Sequence, residues 1–245
     1  MTFLVLTNVR AFQGGCDFTG VGNKVAFGSE VEEKDTTTFG SGGWKEVIGG
    51  LIETDVTSEG YWEAGDSAKI DDRLWGDLAG LEAYSVGPNG ATVGELAYLT
   101  KLLHSSYSAL GSVGDVAPWS AKGKGSWPVV KGVWAHPPGT ARTATGTGTA
   151  VQLGAVTAGQ RLYAALHVLS VSGTDTPTIT CRVESDAADT FGSATTQLTF
   201  TAATGVTGEI LRTDASAITD TWYRFGWTIS GTDPSFLFAA TFGVR

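Results

Sequence analysis

Apolar and polar residues alternate with period two over much of the chain, the pattern of strands that bury one face. From Leu51 to Trp62 the alternation sets Glu53, Asp55, Thr57 and Glu59 on one face and Ile52, Thr54, Val56 and Ser58 on the other. Lys24 to Glu32 reads as the partner strand, so the two form a long hairpin closed by the loop Thr36-Thr37-Thr38-Phe39-Gly40-Ser41-Gly42-Gly43-Trp44. Glu30 and Glu32 join the acidic face if the register permits, and Glu33 then points away. Downstream, Ile70, Leu74, Trp75 and Leu78 share one helical face within 66–80, with Asp66 or Ser67 as the cap and Gly80 as the stop. A helix this short is marginal alone and must lie on a sheet. Ala97 to Tyr107 has leucines near helical spacing but is read as strand, and Ala121 to Trp134 as one more strand.

Beyond Arg161, runs rich in Val, Ile, Leu, Phe, Tyr and Thr alternate with Gly, Pro and Asp turns, a spacing that predicts an all-β sandwich or jelly roll. Within Thr221 to Ser230, Tyr223, Phe225, Trp227 and Ile229 fall on the core face, and Trp222, Arg224, Gly226 and Thr228 on the wet one. Between these regions Pro137-Pro138 opens a Thr, Gly and Ala-rich stretch, and all eight lysines precede it. The expected division is 1–139, a linker at 140–152, and 153–245. The fold class expected is mainly β, a split β-barrel or sandwich with one short flanking helix followed by a β-sandwich.

Composition narrows the functions. Of 245 residues, 25 are acidic and 16 basic, giving −9 at pH 7. Up to Gly139 the count is 10 basic and 17 acidic, net −7, and beyond it 6 and 8, net −2. Such a chain does not grip phosphates by overall charge. Cys16 and Cys181 stand alone without CxxC spacing, and are expected to be reduced, Cys181 as a packed side chain in a strand. The start, Met1-Thr2-Phe3-Leu4, lacks a basic n-region and cleavage site, so a soluble chain made in the cytoplasm is expected.

Catalytic signatures are few. His104, His136 and His167 are scattered without HExxH spacing, and GxSxG is missing. His167, in an apolar strand, reads as a satisfied core side chain. The loop FGSGGWKE departs from GxxxxGK[ST], since its lysine, Lys45, follows a tryptophan. Two carboxylates brought together for glycoside hydrolysis remain a formal alternative. No catalytic residue, cofactor or metal is expected. Aromatics such as Trp222 leave a second reading, a secreted or surface carbohydrate-binding β-sandwich protein. Phe39 and Trp44 are large apolar anchors among small residues, a type that dominates interfaces.

Several runs carry a resemblance: Asp35 to Glu46, Gly50-Leu51, Gly60-Tyr61-Trp62, Asp72-Arg73-Leu74-Trp75, then Ala97 to Tyr107, Gly114 to Ser120 and Gly125 to Val133. In this order they resemble the tail tube (major tail) proteins of long-tailed, non-contractile bacteriophages, especially those infecting actinobacteria. The resemblance implies six copies per ring, rings stacked into a tube for genome exit, and a hairpin lining the lumen. It places Glu30, Glu32, Glu53, Asp55, Thr57 and Glu59 on the lumen, where negative charge repels DNA. It assigns Phe39, Gly40, Ser41, Gly42, Gly43 and Trp44 to ring stacking. It further implies location in the virion tail after assembly in the host cytoplasm. The partners it implies are sister copies, a tape measure protein, tail completion proteins and transiently passing double-stranded DNA, with no membrane insertion. Leu162 to Glu184 and Asp220 to Phe242 resemble β-sandwich domains that some of these proteins carry on the tube exterior.

Overall fold

The computed structural model describes residues 4–65 and 69–245. The chain is mainly β, as its alternation predicts, and antiparallel ladders connect its strands into one continuous, branched sheet. In the first half, β1 (Arg10–Gln13) and β2 (Cys16–Asp17) precede the long hairpin of β3 (Gly22–Asp35) and β4 (Val47–Tyr61). After α1 (Ile70–Gly76) come β5 (Leu81–Gly87), β6 (Leu96–Ala109), β7 (Pro118–Gly125) and β8 (Val130–His136). Among the described residues β3 pairs only with β4, which pairs with β7 and through it β6; β6 also pairs with β5 and β8.

Ala97 to Tyr107 is strand, within β6. The single strand expected over Ala121 to Trp134 is instead two. Pro128 has no N–H to offer a ladder, and the Ser126 and Trp127 N–H groups both turn to the Lys101 carbonyl. The helix is shorter than expected. Ile70 and Leu74 are buried, but Trp75 and Leu78 are exposed. The Asp77 N–H closes the helix on the Arg73 carbonyl, and Ala79, at φ +69°, turns the chain onto β6. Gly80 therefore lies past the end, and the caps expected at Asp66 or Ser67 lie outside the described residues. Tyr107 anchors the helix from β6, its hydroxyl donating to Asp71 at 2.7 Å.

In the second half, β9 (Gly146–Thr147) and β10 (Val151–Gln152), both within the expected linker, pair with β14 (Trp222–Val244). β11 (Leu162–Asp186) pairs with β14 along its whole length, while β12 (Thr195–Thr199) and β13 (Thr207–Arg212) flank β11. Runs that read as separate strands are thus two long ones, bent together where the register slips between Ser172 and Thr178. The bend folds the ladder over itself, so Leu166 and Val168 share a core with Cys181, Val183, Phe225 and Phe238. Tyr223, Phe225 and Trp227 are buried as the alternation requires.

Buried contacts join the halves. Leu99 and Val130 pack with Tyr163, Ala165 and Ile210, and Phe12, Ala97 and Trp134 with Ala239. A polar chain crosses the same boundary. His167 Nδ1–H donates to the Gly14 carbonyl at 2.7 Å, Ser85 donates to Nε2 at 2.8 Å, and Thr241 donates to Ser85 at 2.9 Å. Burial pushes His167 down to about 4, so the ring stays neutral and this one-way relay holds.

At the bend, Gly231 has φ +112°, and a Cβ there would meet Pro177 Cα at 2.8 Å. Gly231→Ala combines a disfavoured backbone with a clash against main chain, so it should destabilise by about 1–3 kcal/mol. Urea unfolding checks this; an unchanged midpoint would show that the bend does not need glycine.

Candidate functional site

The β3–β4 hairpin is where the sequence places the function. Its alternation is realised at the body end, where Thr54, Val56 and Ser58 are buried and Glu53 and Asp55 exposed. Residues directly opposite in an antiparallel ladder share a face. Glu30 faces Glu53, Gly28 faces Asp55, Ala26 faces Thr57 and Lys24 faces Glu59. Glu32 lies at a register slip between Val31 and Glu33, where β4 carries one residue more than β3. All the carboxylates expected to share a face are thus on the hairpin, and four of the five stand in regular register.

The face is not frankly acidic, and here the expectation needs correcting. β7 lies beside β4 and sets Lys124 opposite Asp55 and Lys122 opposite Thr57. Lys124 Nζ bridges Asp55 at 2.7 Å and Glu53 at 3.0 Å, and these carboxylates hold its pKa up. Lys24 pairs with Glu59 at 2.9 Å, and Lys34 with Glu32. Five carboxylates (Glu30, Glu32, Glu53, Asp55, Glu59) therefore meet four lysines (Lys24, Lys34, Lys122, Lys124), a balance of −1. Exposed pairs of this kind contribute about 0–1 kcal/mol each, so they set the character of the surface more than its stability. The alternating Lys122-Gly123-Lys124 carried the signal, but only the strand order brings it to β4.

Beyond Ser29 and Thr54 the hairpin becomes an arm exposed on both faces. Val31, Val47, Ile48, Leu51 and Ile52 are all bare. At its tip Phe39 is fully exposed and Trp44 is 81 % exposed. The tip is nonetheless a built turn. The Ser41 N–H donates to the Thr38 carbonyl at 3.0 Å, the Trp44 N–H to the Ser41 carbonyl at 3.2 Å, and the Thr38 N–H to Ser41 Oγ at 3.0 Å. Gly42 and Gly43 supply positive φ, +61° and +88°, between the two anchors.

Elsewhere, a cleft of about 470 Å³ opens between the start of β3 and the β1–β5 layer. Val9, Ala11, Val25, Phe27 and Tyr98 line it, with Lys24 the one charged side chain. Lacking a carboxylate or histidine, it offers no acid–base pair. The histidines are structural. His136 stacks on Phe238 at 4.1 Å and accepts from Arg142 Nε at 3.2 Å; burial, then the Arg142 charge, push it down to about 4. His104 is buried, and burial pulls its pKa down. Cys16 and Cys181 are buried free thiols, and burial pushes Cys16 up to about 12. Among the described residues no group of three or more His, Cys, Asp or Glu is placed to hold a metal.

No protein-family model matches the chain, and no curated protein does. Among solved structures it is similar to a chain of the virion of a native gene transfer agent particle, at 17% identity and TM-score 0.37, covering 45% of this chain and 84% of that one. It is also similar to a chain of the sheath-tube complex of an extracellular contractile injection system, at 9% identity and TM-score 0.42, covering 53% and 90%. A third similarity, to the SPP1 Dit protein, covers 97% of this chain and 99% of that one at 9% identity and TM-score 0.34. Likeness at these scores assigns neither family nor role.

One titration is unusual. Burial, reinforced by nearby Asp77, pushes Glu82 up to about 7. A raised carboxyl adds stability that is complete below its unfolded value near 4.5 and is lost as pH rises through 7. Glu82→Gln should therefore gain thermal stability relative to wild type between pH 4.5 and 8. A difference independent of pH in paired melting curves would refute this.

Proposed function

We propose that this chain is a structural tail protein whose copies form rings stacked into a tube. The observation that carries the reading is the β3–β4 arm. Its outer strand runs 14 residues with one edge that pairs with no other strand among the described residues, and bare apolar side chains stand among the charges on both of its faces. A lone soluble chain gains nothing from a long bare edge, which is a template for pairing with another chain. If neighbouring hairpins join edge to edge around a ring, the backbone groups of β3 are satisfied and no edge remains. Six copies per ring is the number that the tail-tube resemblance implies.

In this arrangement Glu30, Glu32, Glu53, Asp55, Thr57 and Glu59 face the bore. Their lysine partners alter the physics of the lining. Each Lys124 is held by two carboxylates and each Lys24 by one, which leaves Lys122, opposite Thr57, as the one lysine of this face without an ion pair among the described residues. The surface is a lattice of ion pairs with a small negative excess, which lets duplex DNA pass without sticking. Residues 1–139 would build the wall and 153–245 the exterior, joined rigidly through the His167 relay. Tape measure and completion proteins would set length and ends, placing the protein in the virion tail.

Electron microscopy of the purified chain tests the reading. Tubes with a central bore, and no retention of linear duplex DNA at 150 mM salt, are the expected result. A monomer at every concentration, or a chain retained on glycan resin, would contradict it and favour the carbohydrate-binding alternative.

A further inference from the structure

The sheet formed by β3, β4, β7 and β6 carries different apolar features at its two ends. One end is the built turn with Phe39 and Trp44. At the other, Tyr61, Leu110, Pro118 and Trp119 line a cleft of about 210 Å³. That is roughly the volume of seven waters, space for a ring. Beside it the β6–β7 loop raises Val113, fully exposed, and Val116, also bare. β4 begins at Val47 beside the aromatic turn and ends at Tyr61 on the cleft. Its 15 residues separate the two features by roughly 45–50 Å. The projecting pair therefore cannot fill its own chain's recess.

One cation at the turn and one anion in the β6–β7 loop are placed to meet, with Glu46 next to the first and Glu59, paired to Lys24, on the cleft wall. Lys45 follows Trp44 directly, and Asp115 sits between Val113 and Val116. Neither makes an ion pair among the described residues. The Trp119 Nε1–H, lining the cleft, is buried with no acceptor. A protrusion at one end and a recess at the other mate head to tail, by translation along the strands, with Lys45 and Asp115 as the charges that can meet, and such contacts propagate without closing.

We propose that Tyr61, Leu110, Pro118 and the Val113–Val116 turn receive the Phe39–Trp44 loop of a second copy, with Lys45 of one chain pairing Asp115 of the next. This rests on the self-assembly reading above and adds its receiving surface. Two aromatic side chains bury about 300–500 Å², less than the roughly 800 Å² per partner of a lasting interface. A single junction is transient, and junctions working side by side in a ring hold. Growth along the axis is thereby tied to lateral association.

The test compares polymer growth, by light scattering and electron microscopy, for Phe39→Ser/Trp44→Ser, Val113→Asp/Val116→Asp, Lys45→Asp, Asp115→Lys and the swap Lys45→Asp/Asp115→Lys. All these positions are exposed, and circular dichroism confirms that each variant folds. Both apolar variants should fail to elongate. Each charge variant should raise the critical concentration about tenfold, and the swap should restore it. Receiver variants that grow like wild type, a swap without rescue, or a closed dimer as the end product would overturn the proposal. Failure confined to the loop variant means that the loop docks elsewhere, which sinks the receiving site and spares self-assembly. A wild-type chain that never assembles sinks both.

Discussion

The structure turns on an unmet backbone requirement. Beyond Gly22, whose N–H reaches the Phe18 carbonyl, strand β3 offers its outer edge to no other strand among the described residues, and the arm it builds with β4 carries bare valine, isoleucine and leucine on both faces. Natural sheets usually blunt such edges with charge, proline, bulges or a covering loop. Here charge is plentiful, but carboxylates and lysines on the open face neutralise one another across the ladder and do not repel a neighbour. The bulge opposite Glu32 bends the arm and leaves the edge open. This combination stores an association surface in a folded monomer.

An arm of this kind needs a rigid root. Thr54, Val56 and Ser58 seat its base, with Ser58 within 3.2 Å of the Tyr84 hydroxyl in the core that holds Phe18, Leu74 and Trp119. That core is in turn tied to the second half by shared apolar packing and by the relay from Thr241 through Ser85 and His167 to Gly14. Arg142, bonded to His136 and lying over Trp227, fastens the intervening segment to β14. Forces on the second half are therefore transmitted to the first through buried, directional bonds.

The hairpin, its loop and its alternating face were legible in the sequence because strand side chains obey a strict period of two. The lysines of β7 were not, since Lys124 lies about 70 residues along the chain from Glu53 and Asp55, and only the β4–β7 pairing brings it, with Lys122, to that face. The helix was overread. Trp75 lies within the helix but faces outward, only Ile70 and Leu74 being buried, and Leu78 falls beyond the point, at Asp77, where the chain leaves the helix to pair with β6. In the second half the bend at Gly173 and Gly231 reads locally as two turns, and joins into one folded ladder only because the two slips face each other. The cleft by Tyr61 and Leu110 draws on four separate strand ends, which no local pattern reports.

The measurement that bears most directly on the account is a density map of the assembled chain at side-chain resolution. The account predicts that the outer edge of each β3 is hydrogen-bonded to an adjacent copy, with Asp55, Glu53 and Lys124 turned toward a central bore. A map in which that edge is bare, or in which these side chains lie on the outer surface, would contradict it.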